Sequence, residues 1–66
     1  MAIVSVTIIE GRPPEAKQAL MAKLTEAVVE VLGAEPRQVR VVIHEVKNGD
    51  YAVGGTPVIL HGSGHD

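Results

Sequence analysis

The chain has 66 residues, of which 45% are apolar, with no cysteine, one aromatic residue and a formal net charge of −2. Without cysteine, neither disulfides nor a thiolate metal site can staple the fold, yet the apolar content is too high for a disordered chain. The acidic balance and the single aromatic, Tyr51, offer neither a basic groove nor a stacking platform for nucleic acid.

In chain order, residues 2–9 read as a strand rich in β-branched Ile, Val and Thr. Alternation places Val4, Val6 and Ile8 on one face and Ile3, Ser5, Thr7 and Ile9 on the other. Gly11 punctuates the strand, and Pro13-Pro14-Glu15 opens a helix. Proline is tolerated in a first turn, where its missing N–H has no intrahelical partner anyway, and an acid there complements the positive end of the helix. Leu20, Leu24, Ala27, Val28 and Val31 recur at three- and four-residue spacing and predict one apolar face. Lys17, Gln18, Lys23, Glu26 and Glu30 are expected mostly on the other side, and Gly33 is a fitting C-terminal cap. Val39 to Val46 reads as a second strand. Strand, helix and strand with short connections predict a right-handed β-α-β unit with parallel strands.

Asn48-Gly49-Asp50 is a turn signal. Tyr51-Ala52-Val53 and Val58-Ile59-Leu60 then flank Gly54-Gly55-Thr56-Pro57, which predicts a short hairpin with proline at an edge. Residues 61–66, polar and glycine-rich, are expected to form a flexible tail to a single domain spanning 1–66. No stretch reaches the roughly 18 apolar residues that a membrane span needs. The N-terminus also lacks a signal-peptide pattern, so a cytoplasmic protein without a membrane partner is the expectation.

Both strands carry apolar residues on both faces. Ile3 and Ile9 oppose Val4, Val6 and Ile8, and Val42 and Val46 oppose Val39, Val41 and Ile43. One helix covers one face of a two-stranded sheet, so the other face calls for a second protein surface. A short apolar chain gains stability in the same way, and oligomerisation is expected.

Two arginines are the candidates for chemistry. Arg12 follows the first strand, and Arg40 interrupts the apolar run of the second. Each has a plain reading as a solvated surface residue. The planar guanidinium fork nonetheless suits bidentate carboxylate binding, and two near one pocket fit a dicarboxylate or keto acid. His44 falls on the same strand face as Arg40 and reads as an exposed or interfacial residue. His61, His65 and Asp66 read as tail residues rather than metal ligands, and no metal or cofactor is expected.

The strand 2–9 with Glu10-Gly11-Arg12, a helix of about 19 residues ending near Leu32-Gly33-Ala34, Val39-Arg40-Val41 with Glu45, and residues 47–55 occur in an ordered series. This series resembles the 4-oxalocrotonate tautomerase family across residues 2–55. The resemblance implies an α+β fold: a β-α-β protomer that pairs into dimers, three dimers forming a hexamer with active sites at subunit interfaces. It implies that Arg12 binds a substrate carboxylate. Arg40, from a neighbouring chain, would polarise the keto oxygen and its carboxylate, while Ile9 and Tyr51 line the pocket.

In that family an N-terminal proline is the general base, and here Ala2 stands in its place behind Met1. A free α-amine titrates at about 7.7–8.0, and nearby arginines and partial burial would both lower that value. The resemblance thus makes Ala2, Arg12 and Arg40 the catalytic candidates for tautomerising a 2-hydroxy-dienoate or related 2-keto acid. The alternatives are a non-catalytic or impaired subunit of the same fold, alone or paired with a related chain, a proline-to-alanine variant, and a small carboxylate-binding oligomeric module. Glu10 and Glu45 are nominated, by sequence proximity, as acids for water activation.

Overall fold

The computed structural model describes residues 1–60; the expected tail at 61–66 lies outside them. Strand β1 (Ala2–Ile9) leads to helix α1 (Pro14–Leu32), a 3-10 turn (Pro36–Gln38) and strand β2 (Val39–Val46). A small hairpin of β3 (Ala52–Val53) and β4 (Thr56–Pro57) follows. β1 and β2 pair in parallel from Ala2↔Val39 to Ile9↔Val46, and β3 pairs antiparallel with β4. The architecture is the β-α-β unit with a C-terminal hairpin.

Helix α1 begins where the prolines set it. Pro13 caps the helix in an extended conformation, and its carbonyl accepts from the Ala16 N–H at 3.0 Å and the Lys17 N–H at 3.3 Å. Glu15 occupies the first turn, and Gly33 closes the last by donating its N–H to the Val29 carbonyl. The half-buried stripe runs through Lys17, Leu20, Met21, Leu24, Thr25, Val28 and Val29. This corrects three sequence expectations. Ala27 lies a quarter-turn off the stripe and is exposed. Val31 keeps to the stripe but is 77% exposed. The helix is about 27 Å long against about 23 Å of strand, so its last turn overhangs the sheet. Lys17, expected on the polar side, lies on the stripe and pairs with Glu45 of β2 at 3.1 Å.

The hairpin is tighter than expected. Its strands are Ala52–Val53 and Thr56–Pro57, and Gly54-Gly55 alone form the turn. Both glycines have positive φ (61° and 86°), the combination a two-residue type I′ turn requires. Thr56 and Pro57 are therefore drawn out of the turn and into the ladder.

The helix covers the face carrying Val4, Val6, Ile8, Val39, Val41 and Ile43. Val39, 9% exposed, is the one buried apolar side chain among the described residues. The other face carries Ile3 and Val42, 66% and 41% exposed, with Ile9 and Val46 half-buried. Ser5, Thr7, Arg40 and His44 alternate with these apolar side chains on the same face. The protomer is open. Its radius of gyration is 14.4 Å, against about 11 Å for a compact chain of this length. Its accessible surface is 5037 Å², against about 4,000 Å² for a compact monomer of this mass.

Candidate active site

Three of the sequence-nominated residues converge at the exit of β1. A cavity of about 370 Å³ is lined by Ile9, Arg12 and Tyr51, together with Thr7, Ile8, Val46 and Leu60. The strand ends bring Ile9 and Val46 side by side in register. Arg12, half-buried, lies between strand and helix and lines this mainly apolar cavity. Tyr51 reaches the cavity because the chain reverses after β2: the Asp50 N–H donates to the Lys47 carbonyl at 2.8 Å. A cation in such a wall suits one carboxylate attached to an apolar carbon chain.

The other two nominated residues are at the opposite end of the sheet. Ala2 is half-buried beside Val39, and Met1 ahead of it is 83% exposed. Arg40 sits beside Ile3 on the uncovered face, with its Nη1 donating to the Arg37 carbonyl at 2.7 Å. That acceptor comes from the 3-10 turn, which Glu35 and Gln38 hold with a reciprocal capping box. The parallel register puts about 20 Å of strand between the Arg40 level and the Ile9 level. One protomer therefore does not bring Ala2 or Arg40 to the Arg12 cavity.

The nominated acids lie elsewhere. Glu10 accepts the Asn48 N–H at 3.3 Å, and Glu45 faces the helix in its pair with Lys17. Neither lines the cavity. His44 is exposed on the Arg40 face. Sequence reasoning missed Thr7, Ile8, Val46 and Leu60 as cavity walls. The apolar character of Val46 and Leu60 was visible, but Leu60 at the cavity is hydrogen-bonded to Asn48, twelve residues earlier, a pairing without a local signal.

Known proteins share the sequence pattern and the fold of this chain. The tautomerase enzyme family matches residues 3–60. A Ralstonia nicotianae protein described as a probable tautomerase is 49% identical over 57 residues, covering 86% of this chain and 81% of its own. The 2-hydroxymuconate tautomerase of Bacillus subtilis is 44% identical over 55 residues, covering 83% and 89%. Among solved structures, a 4-oxalocrotonate tautomerase homologue superposes with a TM-score of 0.79 at 43% identity, covering 85% of this chain and 89% of that one. A heterohexameric 4-oxalocrotonate tautomerase from Chloroflexus aurantiacus superposes at 0.81 with 32% identity, covering 86% and 92%. With the β-α-β frame, the hairpin and the matched span in agreement, the chain belongs to the tautomerase family.

Proposed function

We propose that the protein is an enol–keto tautomerase for a 2-hydroxy-dienoate or related 2-keto acid, with its sites between copies of the chain in a hexamer. The observation that carries this reading is the cavity joining Ile9, Arg12 and Tyr51 at one end of β1, with Ala2 and Arg40 at the other. Docking one chain's Ala2 end on another's cavity completes the set. The open, thin protomer, 14 Å across its shortest axis, supports such packing. The activity of the Bacillus subtilis relative supports the substrate class.

Arg12 holds one carboxylate against the apolar wall. Arg40 of a neighbouring copy draws electron density toward the 2-oxygen. The Ala2 amine, free once Met1 is removed, takes the proton of the enol hydroxyl. The oxygen's electrons close the carbonyl, the double bond shifts, and the resulting ammonium returns a proton to carbon. With Met1 attached, the Ala2 nitrogen is an amide and holds no basic lone pair.

One observation favours a second reading. Alanine in the base position fits a subunit that lends Arg12 and Arg40 to sites whose amine comes from a related chain. The heterohexameric relative supports this reading. The deciding experiment follows loss of the dienol absorbance of 2-hydroxymuconate with the chain starting at Ala2. Turnover above the solvent rate, lowered about 10²-fold by Arg12→Ala, is the expected result. A folded oligomer with no turnover overturns the first reading, and activity that appears only on adding a proline-bearing relative establishes the second.

A further inference from the structure

Asn48 sits in a turn, yet its side chain makes a contact that a turn does not require. Its Oδ1 accepts the Leu60 N–H at 2.8 Å, and its Nδ2 donates to the Leu60 carbonyl at 2.7 Å. The carboxamide thus pairs with one residue's backbone as a neighbouring strand would, using both polar groups at once. The partners fix the orientation of the amide, since a flipped one would set oxygen against oxygen.

The contact is anchored at its other side. The Glu10 N–H extends the β1–β2 ladder by donating to the Val46 carbonyl at 2.9 Å. The Glu10 carboxylate in turn accepts the Asn48 N–H. A continuous chain of hydrogen bonds therefore runs from the end of the sheet through Glu10 and Asn48 to Leu60. Leu60 is a wall of the Arg12 cavity, and the Val58 N–H donates to the carbonyl of Tyr51, another wall, at 2.7 Å.

We propose that Asn48 is a positioning residue that clamps the segment after the hairpin onto the sheet and so closes the substrate cavity over Arg12. The proposal rests on the tautomerase reading for the meaning of the cavity, but not for the clamp itself. Without the clamp, Leu60 and the hairpin swing away, and the carboxylate at Arg12 is opened to water. The consequence is weaker substrate binding with the chemistry intact.

Two variants test this. Asn48→Asp keeps size and shape but replaces the donor with an oxygen facing the Leu60 carbonyl, and Asn48→Ala removes both groups. The Leu60 amide exchange rate, read by NMR, is expected to rise about tenfold or more in both. Tyr51 is the chain's one aromatic residue, so near-UV circular dichroism reads the cavity alone; that signal should fall while the far-UV helix signal holds. KM for 2-hydroxymuconate should rise several-fold with kcat little changed. Unchanged Leu60 exchange and Tyr51 signal in both variants overturn the proposal, as does a full wild-type response from Asn48→Asp. If no form turns substrate over, the tautomerase reading fails, and the amide and tyrosine signals still decide the role of Asn48.

Discussion

At one end of the sheet Arg12 faces an apolar cavity under Leu60; at the other, Arg40 stands exposed and Ala2 rests against Val39. The same two strands supply both ends, and parallel pairing is what keeps them apart. An antiparallel pair returns the chain to its starting end. A crossover helix returns it to begin β2 beside Ala2, leaving Arg40 a full strand from Arg12. In the proposed mechanism the cavity end holds a carboxylate, and the Ala2 end of a neighbouring copy delivers a cation and an amine. On that proposal a chain divided in this way acts only in company, which makes assembly part of the mechanism.

The largest effect tests the Ala2 end. A chain starting at Ala2 should turn over 2-hydroxymuconate about 10²-fold or more faster than one retaining Met1 or carrying a tag ahead of it. Equal rates, measured with mass-verified termini, remove the amine from the mechanism. Ala2→Pro, with Met1 removed, should raise the rate about tenfold further, because a ring-held secondary amine is a more rigid and more basic base.

Next come the arginines. Arg12→Ala and Arg40→Ala should each lower kcat/KM about 10²-fold, the scale of a lost charge-assisted, bidentate contact. The two impaired variants separate the ends by mixing. After co-refolding, about a quarter of the sites in a randomly mixed oligomer receive Arg12 from one chain and Arg40 from another, and activity should return to that fraction. No recovery on mixing would put both arginines in one chain's site, against the parallel register.

The fold was largely legible in the sequence because its signals are local. Alternation along Ala2–Ile9, the prolines at 13 and 14, and Gly33 act within a few residues, and the structure follows them. The apolar helix face was legible in most of its positions, but Ala27 falls beside the stripe and exposure at Val31 depends on where the sheet stops. Lys17 was misplaced because its partner, Glu45, is 28 residues away. The division of the site is a matter of topology. Resemblance nominated Ile9, Arg12 and Tyr51 together, but only the chain reversal at Lys47–Asp50 brings Tyr51 back to the end of β1. The pairing of Asn48 with Leu60 had no signal, because asparagine before glycine reads equally well as a plain turn.

The smallest expected effect sharpens the comparison by testing a second cation at the cavity end. Lys17 lies on the helix-covered side of the sheet, in a groove with Pro14, Met21 and Glu45, while Arg12 opens to the cavity formed by the strand ends. If position alone decides function, removing Lys17 should leave substrate binding untouched. The Lys17–Glu45 pair is roughly one-third exposed at both partners, so a double-mutant cycle should give a coupling of about 0.5 kcal/mol in thermal unfolding. Lys17→Met keeps an apolar stem in the groove that Lys17 shares with Ile43 and should leave kcat/KM within about twofold of wild type. A drop comparable to that of Arg12→Ala would mean that the substrate carboxylate senses the field of the whole sheet end, and the cavity would lose its claim to be the binding site. A drop confined to stability would leave Arg12 as the cation that reads the substrate and Lys17 as the one that ties helix to sheet.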